Sequence, residues 1–134
     1  MQSRILAAVA ALFSAAMLFP AASFAGEDVT YQVDGEAFEG YRAPAEGGVS
    51  KGLVLVVQDW DGLTDYEKKR ADMLSALGYD AFALDLYGKG NRPKETGARK
   101  AEMEGLYEDR QRMRKLLLGG LAEAGRDPIR SGWS

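Results

Sequence analysis

The stretch LVLVVQDWDGLTDYEKKRADMLSALGYDAFAL, residues 53–84, decides the fold of this chain. It opens with a continuous apolar run, Leu53 to Val57, which is typical of a strand buried on both faces. A second apolar run, Ala81 to Leu86, predicts another buried strand. Because a helix with short connections lies between them, the pattern predicts a βαβ unit with parallel strands and a right-handed crossover.

The segment between these two strands carries the start and stop signals of a helix. Thr64, followed three residues later by Glu67, forms a capping box that predicts the helix start. Gly78 suits the position just after the helix end. Apolar residues at helical spacing predict a single buried face, made of Tyr66, Met73, Leu74 and Leu77.

Regular elements are also predicted on both sides of this unit. Val29 to Val33 and Glu36 to Arg42 alternate as strands do, and Asp34-Gly35 between them favours a hairpin turn. Downstream, one long helix is predicted from about Thr96 to Leu118. Its buried stripe is expected to contain Met103, Leu106, Tyr107, Met113 and Leu117. The predicted fold class is α/β, a β-hairpin followed by β-α-β-α.

The composition suits one globular domain, with 134 residues of which 46% are hydrophobic and 28% charged. A net charge of −3 gives no electrostatic reason to expect nucleic acid as a partner. The chain has no cysteine, which excludes disulfides. It also has no histidine, the residue that most often serves as a general base.

The first residues predict an export signal. A positive start, Met1 to Arg4, precedes the apolar run Ile5 to Leu18, and Ser23-Phe24-Ala25 offers small residues for a signal peptidase. We expect a signal peptide over residues 1–25, a mature domain over residues 26–134 and a periplasmic or secreted location. No stable membrane span is expected after cleavage, although an uncleaved membrane anchor is the alternative.

Two loops follow the predicted parallel strands. One is Gln58 to Leu63, and the other is Asp85 to Gly90. In an open α/β sheet, ligands bind outside the carboxyl ends of the strands. These loops are therefore the predicted functional region.

The same two loops carry a family resemblance. LVLVVQDWDGL, residues 53–63, and ALDLYGKGNRPKE, residues 83–95, resemble the corresponding segments of dienelactone hydrolases, as does Asp127-Pro128-x-Arg130. The resemblance spans roughly Val29 to Arg130 and looks like the N-terminal half of the family. It implies an α/β-hydrolase fold and hydrolysis of small-molecule esters or lactones through a Cys-His-Asp triad.

The resemblance also implies roles for three residues. Asp59 stands where the family has a glutamate that orients the nucleophile, and it is one methylene shorter. The backbone N–H of Trp60 matches a donor of the oxyanion hole. Lys89 stands where the family has a basic residue that receives the substrate carboxylate.

Each of these residues also has a structural interpretation. Asp59 can simply hydrogen-bond the loop backbone, Trp60 can close the end of the sheet, and Lys89 can be a solvated charge. Asp85, at a strand end, is expected to make structural hydrogen bonds and not to act as a catalytic acid.

The cysteine and the histidine of the family triad are not found in the sequence. The family nucleophile lies in a G-x-C-x-G or G-x-S-x-G turn. Gly132-Trp133-Ser134 begins such a pattern, but only Ser131 separates it from Arg130, too little for the strand that must precede the turn. No metal or other cofactor is predicted, since carboxylates alone make a poor zinc site. We expect a chain truncated before the nucleophile and inactive by itself.

A chain truncated before the nucleophile is expected to have an incomplete sheet. In the family, the strand Leu53 to Val57 pairs on one side with the nucleophile strand. Without that partner the strand becomes an open edge, which favours marginal stability and self-association.

Alternative functions remain open at this point. The chain is either a dienelactone-hydrolase-like hydrolase represented by one half, or a non-catalytic exported binding module. It can also be one half of a complementing pair. A membrane-anchored accessory protein is a further alternative.

Overall fold

The computed structural model describes residues 24–126, which contain a four-stranded sheet and three helices. The elements are β1 (Glu27–Val33), β2 (Glu36–Ala43), β3 (Leu53–Val57), α1 (Asp65–Ala76), β4 (Asp80–Leu84), α2 (Thr96–Glu108) and α3 (Arg110–Ala124). The strand order is β1-β2-β4-β3. Residues 1–23 and 127–134 lie outside the described residues. The predictions for nearly all of the signal peptide and for Gly132-Trp133-Ser134 fall there.

The predicted hairpin is confirmed. β1 and β2 pair antiparallel from Glu27↔Arg42 to Val33↔Glu36. Asp34 and Gly35 join them with positive φ angles of 50° and 80°. Positive φ at both central residues is the conformation that matches the right-handed twist of paired strands.

The predicted βαβ unit is also confirmed, because β3 pairs parallel with β4. The capping box is present: the Thr64 N–H donates to Glu67 Oε2 at 2.7 Å, and Thr64 Oγ1 accepts from the Tyr66 N–H at 3.2 Å. Gly78 follows the helix with φ at 92°, a conformation that favours glycine.

The predicted buried face of α1 is wrong at three of its four residues, whereas Leu74 is partly buried and packs against the core. Tyr66, Met73 and Leu77 are 63%, 56% and 61% exposed. The buried residues of this helix are Glu67, Ala71 and Ser75. Small side chains at Ala71 and Ser75 let the helix pack against the sheet, and the exposed Tyr66 lines an open groove beside β3.

The single long helix predicted over residues 96–118 is instead two helices. Asp109 separates them: its N–H donates to the Gly105 carbonyl at 3.1 Å, and its carboxylate accepts from the Arg112 N–H at 2.9 Å. Asp109 thus ends α2 and caps α3. As a result the predicted apolar stripe is only partly buried and lines an open groove.

The core consists of two apolar layers, one on each face of the sheet. One layer lies under α3 and contains Tyr31, Phe38, Phe82, Leu84 and Leu116. The other lies under α1 and contains Tyr41, Ala43, Leu63, Ala71, Ala81 and Ala83. Gly120 allows α3 to pack closely, since a Cβ at this position would lie 2.8 Å from Leu84 Cβ.

β3 forms one edge of the described sheet, as expected. Its only strand partner within residues 24–126 is β4. Leu53 and Val57 at its ends are 39% and 52% exposed, so this strand is not buried on both faces as its apolar run predicts. In the same part of the chain, no helix has the length and hydrophobicity needed to cross a membrane.

Candidate functional site

The two predicted functional loops meet at the carboxyl ends of β3 and β4. The Leu86 N–H donates to Gln58 Oε1 at 2.8 Å. The Tyr87 hydroxyl donates to the Trp60 carbonyl at 2.6 Å. Burial raises the pKa of Tyr87, so this phenol remains a hydrogen-bond donor into the alkaline range. The two cross-loop bonds hold the loop after β3 in a defined position against β4.

Asp59 and Trp60 are brought together within the first loop. Asp59 Oδ1 accepts from the Trp60 N–H at 2.7 Å, and the Asp59 carbonyl accepts from the Gly62 N–H at 3.1 Å. The φ of Gly62 is 89°, which this tight turn requires. The N–H that the resemblance assigns to the oxyanion hole is therefore occupied by a neighbouring carboxylate.

The Trp60 indole carries a cation on its face. The Arg99 guanidinium lies 5.8 Å from the ring centroid, and Arg99 Nε donates to the Pro93 carbonyl at 2.9 Å. Trp60 is 37% exposed. A guanidinium stacked on an exposed ring is a favourable cation–π contact.

The Lys89 side chain contacts the β1–β2 hairpin. Its Nζ donates to Thr30 Oγ1 at 2.9 Å and lies 3.8 Å from Glu39 Oε2. Its N–H donates to the Ala37 carbonyl at 2.9 Å. These contacts attach the residue to the β1–β2 hairpin, and Lys89 lines neither of the grooves described below.

Asp85 is a buried hydrogen-bond centre. One carboxylate oxygen accepts from the Glu39 N–H at 3.0 Å, and the other accepts from the N–H groups of Tyr87 and Gly88. Arg92 Nη1 adds a charged donor at 3.3 Å. This geometry is structural, as its position at a strand end indicates, because it joins β2, β4 and the second loop.

Two grooves flank the Asp59–Trp60 turn. An apolar groove of about 270 Å³ extends along α2 and α3 and is lined by the stripe Met103, Leu106, Tyr107, Met113 and Leu117, together with Asp59 and Trp60. A charged groove of about 510 Å³ lies on the other side and includes Arg92, Lys94 and Arg99. A smaller cavity of about 100 Å³ lies at the opposite end of the sheet, beside Arg42 and Asp80.

Three contributors were not singled out from the sequence. Gln58 and Tyr87 belong to the two motifs that carry the family resemblance, and this membership was the signal that the sequence offered. Arg99 offered none, since its contact with Trp60 depends on where α2 lies. No group of three or more metal-ligating side chains is assembled within residues 24–126.

A sheet with a helix packed on each face, and with paired loops after its parallel strands, is an α/β architecture, and its similarity to solved dienelactone hydrolase-like structures makes it part of an α/β-hydrolase fold. The dienelactone hydrolase family model matches residues 38–124. The chain therefore belongs to the dienelactone hydrolase family.

Solved structures agree with this assignment. One, named m3DLH, is 31% identical with a TM-score of 0.72, and the match covers 77% of this chain and 43% of that chain. Another is described as a dienelactone hydrolase-like promiscuous phosphotriesterase from metagenomic libraries. It is 27% identical with a TM-score of 0.69, and the match has the same 77% and 43% coverage. The chain thus spans less than half the length of either. A comparison with curated proteins found no match.

Proposed function

We propose that this chain supplies the oxyanion and substrate-rim side of a hydrolase of carboxylic esters or lactones, and that it is inactive by itself. The observation that carries the proposal is the Asp59–Trp60 turn at the carboxyl end of β3, held against the second loop by Gln58 and Tyr87. A defined position for a backbone N–H is the main requirement of an oxyanion hole, because the donor must be in place before charge develops.

Asp59 has a double effect in this proposal. While its carboxylate accepts from the Trp60 N–H, that donor is not available to a substrate oxyanion. Rotation of the exposed Asp59 side chain releases the N–H and frees the carboxylate for the nucleophile-orienting role that the family gives to the glutamate at this position. An oxyanion-hole donor of this kind contributes about 3 kcal/mol to transition-state stabilisation.

The proposed inactivity rests on residue types. The 134 residues contain no histidine and no cysteine, so they cannot provide the Cys-His pair of the family triad. Residues outside this sequence would have to supply the nucleophile and the base. The direct test is hydrolysis of p-nitrophenyl butyrate by the purified chain. We expect buffer-level rates, and turnover that persists in Ser134→Ala would show that another nucleophile is at work.

A binding measurement separates a retained substrate rim from a chain with no ligand site. The sequence has two tryptophans, and Trp133→Phe leaves Trp60 as the only reporter. Titration with dihydrocoumarin, a lactone, should change Trp60 fluorescence with saturation. A phosphotriester is a second probe, since one solved relative is described as a phosphotriesterase. A linear response to both probes would contradict the proposed rim.

The binding-module alternative is favoured by one observation, the intact apolar groove beside Trp60. If lactone binding is saturable while hydrolysis stays at background, the chain acts as a binding module or as one half of a complementing pair. Restored turnover on adding a polypeptide with the remaining triad would identify the complementing pair. Export is proposed from residues 1–25, and an N-terminus at Gly26 in the processed protein is the expected result.

A further inference from the structure

The backbone at the predicted cleavage site is held by a buried hydroxyl. The Gly26 N–H donates to the Tyr41 hydroxyl at 2.6 Å, and this hydroxyl donates to Asp72 Oδ1 at 2.6 Å. Tyr41 is only 2% exposed, and burial together with the bond to Asp72 raises its pKa above the ordinary value. The phenol therefore stays protonated and links the Gly26 nitrogen to the carboxylate on α1.

The close approach of this nitrogen requires glycine at position 26. A Cβ on Gly26 would lie 2.7 Å from Tyr41 Cζ and would also meet the Arg42 carbonyl. Arg42 belongs to the β1–β2 ladder, where it is paired with Glu27, so its carbonyl cannot easily move away. The first residue after the predicted cleavage site is thus the one residue type that fits against Tyr41.

Asp72 has a second oxygen whose partner belongs to the segment that cleavage removes. Asp72 Oδ2 accepts from the Ala25 N–H at 3.2 Å. Cleavage between Ala25 and Gly26 takes this donor away and turns the Gly26 amide into an α-amino group, which is mostly protonated at neutral pH. An ammonium has several N–H donors, and its hydrogen bonds to a carboxylate are stronger than those of a neutral amide.

We propose that Tyr41 and Asp72 form a receptor for the α-ammonium group that cleavage creates at Gly26. The inference rests on the export proposed above, and it gives cleavage a structural consequence, because the processed chain alone makes this charge-assisted contact. Lys68, whose ammonium lies 5.6 Å from the centroid of the Tyr41 ring, has a partner of its own, since its Nζ is 2.7 Å from Asp28 Oδ1. The α-ammonium thus ties the start of β1 to α1.

Chemical modification of the α-amino group tests the receptor directly. A chain that begins at Gly26 is released from a fusion by a protease that leaves glycine first. A short pulse of phenyl isothiocyanate modifies its amines, and acid release of the modified first residue measures the α-amino group apart from the lysines. The parent should react about fivefold more slowly than Asp72→Asn, because an ammonium held by the carboxylate must first be released.

Two controls accompany the modification rates. Asp65→Asn, at an exposed aspartate on the same helix, should react at the parent rate. Each rate is divided by the rate of the same chain in concentrated urea, which removes differences in intrinsic reactivity, and circular dichroism shows that each variant is folded. Equal normalised rates for the parent and Asp72→Asn would overturn the proposal.

A stability cycle gives a second test that does not depend on reactivity. Asp72→Asn should raise the equilibrium constant for unfolding about tenfold more in the chain that begins at Gly26 than in one that begins at Ser23, whose ammonium is three residues away. The Phe24 ring, 5.9 Å from the Tyr41 ring, is present in both forms of the longer chain, so its contribution cancels. A loss of the same size in both chains would show that Asp72 acts without the ammonium and would refute the receptor.

The position of cleavage is measured separately, by the intact mass of the exported protein. The expected first residue is Gly26. A different first residue would show that the proposed export site is wrong, and the proposed link between cleavage and the receptor would be wrong with it. A first residue at Gly26 with equal modification rates would leave the export proposal intact and overturn the receptor alone.

Discussion

The two edges of the sheet are built in opposite ways. β1 reads EDVTYQV and exposes Glu27, Asp28, Thr30 and Gln32, whereas β3 reads LVLVV. Charged and polar side chains on an edge strand oppose pairing with another chain, while a flat apolar edge invites it. The side chains of β1 are therefore typical of a sheet edge, whereas those of β3 are typical of a strand inside a sheet.

The edges also differ in how they are held to the rest of the molecule. The Tyr31 hydroxyl of β1 donates to the Asp85 carbonyl at 3.1 Å and accepts from the Asp85 N–H at 3.2 Å, in the buried core. β3 is held by its ladder with β4 and by apolar contacts such as that of Leu55 with the core under α3. Both edge strands have a backbone ladder, but β1 is also fixed by side-chain hydrogen bonds, whereas β3 adds apolar packing.

Removing the buried carboxylate that positions the hairpin should give the largest effect. Asp85→Ala removes the acceptor of three backbone N–H groups, those of Glu39, Tyr87 and Gly88, so the free energy of unfolding should fall by about 3–5 kcal/mol. Urea denaturation followed by circular dichroism measures the change. Asp59→Ala, in an exposed loop, is the matched control and should cost less than about 1 kcal/mol. Similar losses in both variants would contradict a special role for Asp85.

Alkaline pH should weaken the hairpin edge selectively. Burial raises the pKa of Tyr31 from 10.0 to about 12. Because the folded-state pKa lies above the unfolded one, this contribution to stability is complete below pH 10 and is lost as pH rises toward 12. The loss can reach about 3 kcal/mol, at 1.36 kcal/mol per pKa unit.

Denaturation at pH 8 and pH 11 tests this dependence, with Tyr31→Phe as the control. The variant should lose part of the alkaline sensitivity. Tyr41 and Tyr87, whose pKa values are also raised by burial, contribute to the remainder. A parent chain and variant with the same difference between the two pH values would contradict the assignment to Tyr31.

Converting the polar edge into an apolar one should remove the contrast between the two strands. Thr30→Val with Gln32→Val gives β1 an apolar character close to that of β3. We expect self-association to strengthen about tenfold, or roughly 1.4 kcal/mol, in analytical ultracentrifugation. Thr30→Ser with Gln32→Asn retains polarity and should leave association unchanged. If both double variants associate alike, side-chain polarity is not what keeps β1 free.

The smallest effect is expected at the exposed ion pair beside the hairpin turn. Lys115 Nζ lies 2.6 Å from Asp34 Oδ2, with both side chains at least 60% exposed. Lys115→Ala should lower the free energy of unfolding by less than about 1 kcal/mol, since exposed pairs are weak and screened by salt. Repeating the denaturation in 1 M NaCl should abolish the difference. A larger loss that persists in salt would point to packing by the lysine stem.

Local signals in the sequence were sufficient for much of this fold. The Asp34-Gly35 turn, the Thr64–Glu67 capping box and Gly78 each involve interactions between residues close in the chain, and all three are confirmed. The break at Asp109 was missed, although an aspartate is a favourable helix cap. Continuous helical spacing on both sides of Asp109 hid the break.

The candidate site also combines local contacts, which the sequence predicts, with contacts between distant residues, which it does not. Asp59 and Trp60 are neighbours in the chain, and their association follows from the turn that contains them. Lys89 belongs to a recognisable motif, but its ammonium group lies on Thr30, which is 59 positions away. The proximity of Arg99 to Trp60 likewise depends on the position of α2 against the sheet.

The sequence by itself determined the α/β class, the parallel pair, the positions of the two loops that follow these strands and the absence of histidine and cysteine. These follow from hydrophobic periodicity, local capping and residue type. Only the tertiary structure decided which face of α1 is buried, where Lys89 points and how the β3 edge is exposed. Those properties depend on which distant surfaces meet, and small residues such as Ala71 and Gly120 permit contacts that hydrophobicity alone does not reveal.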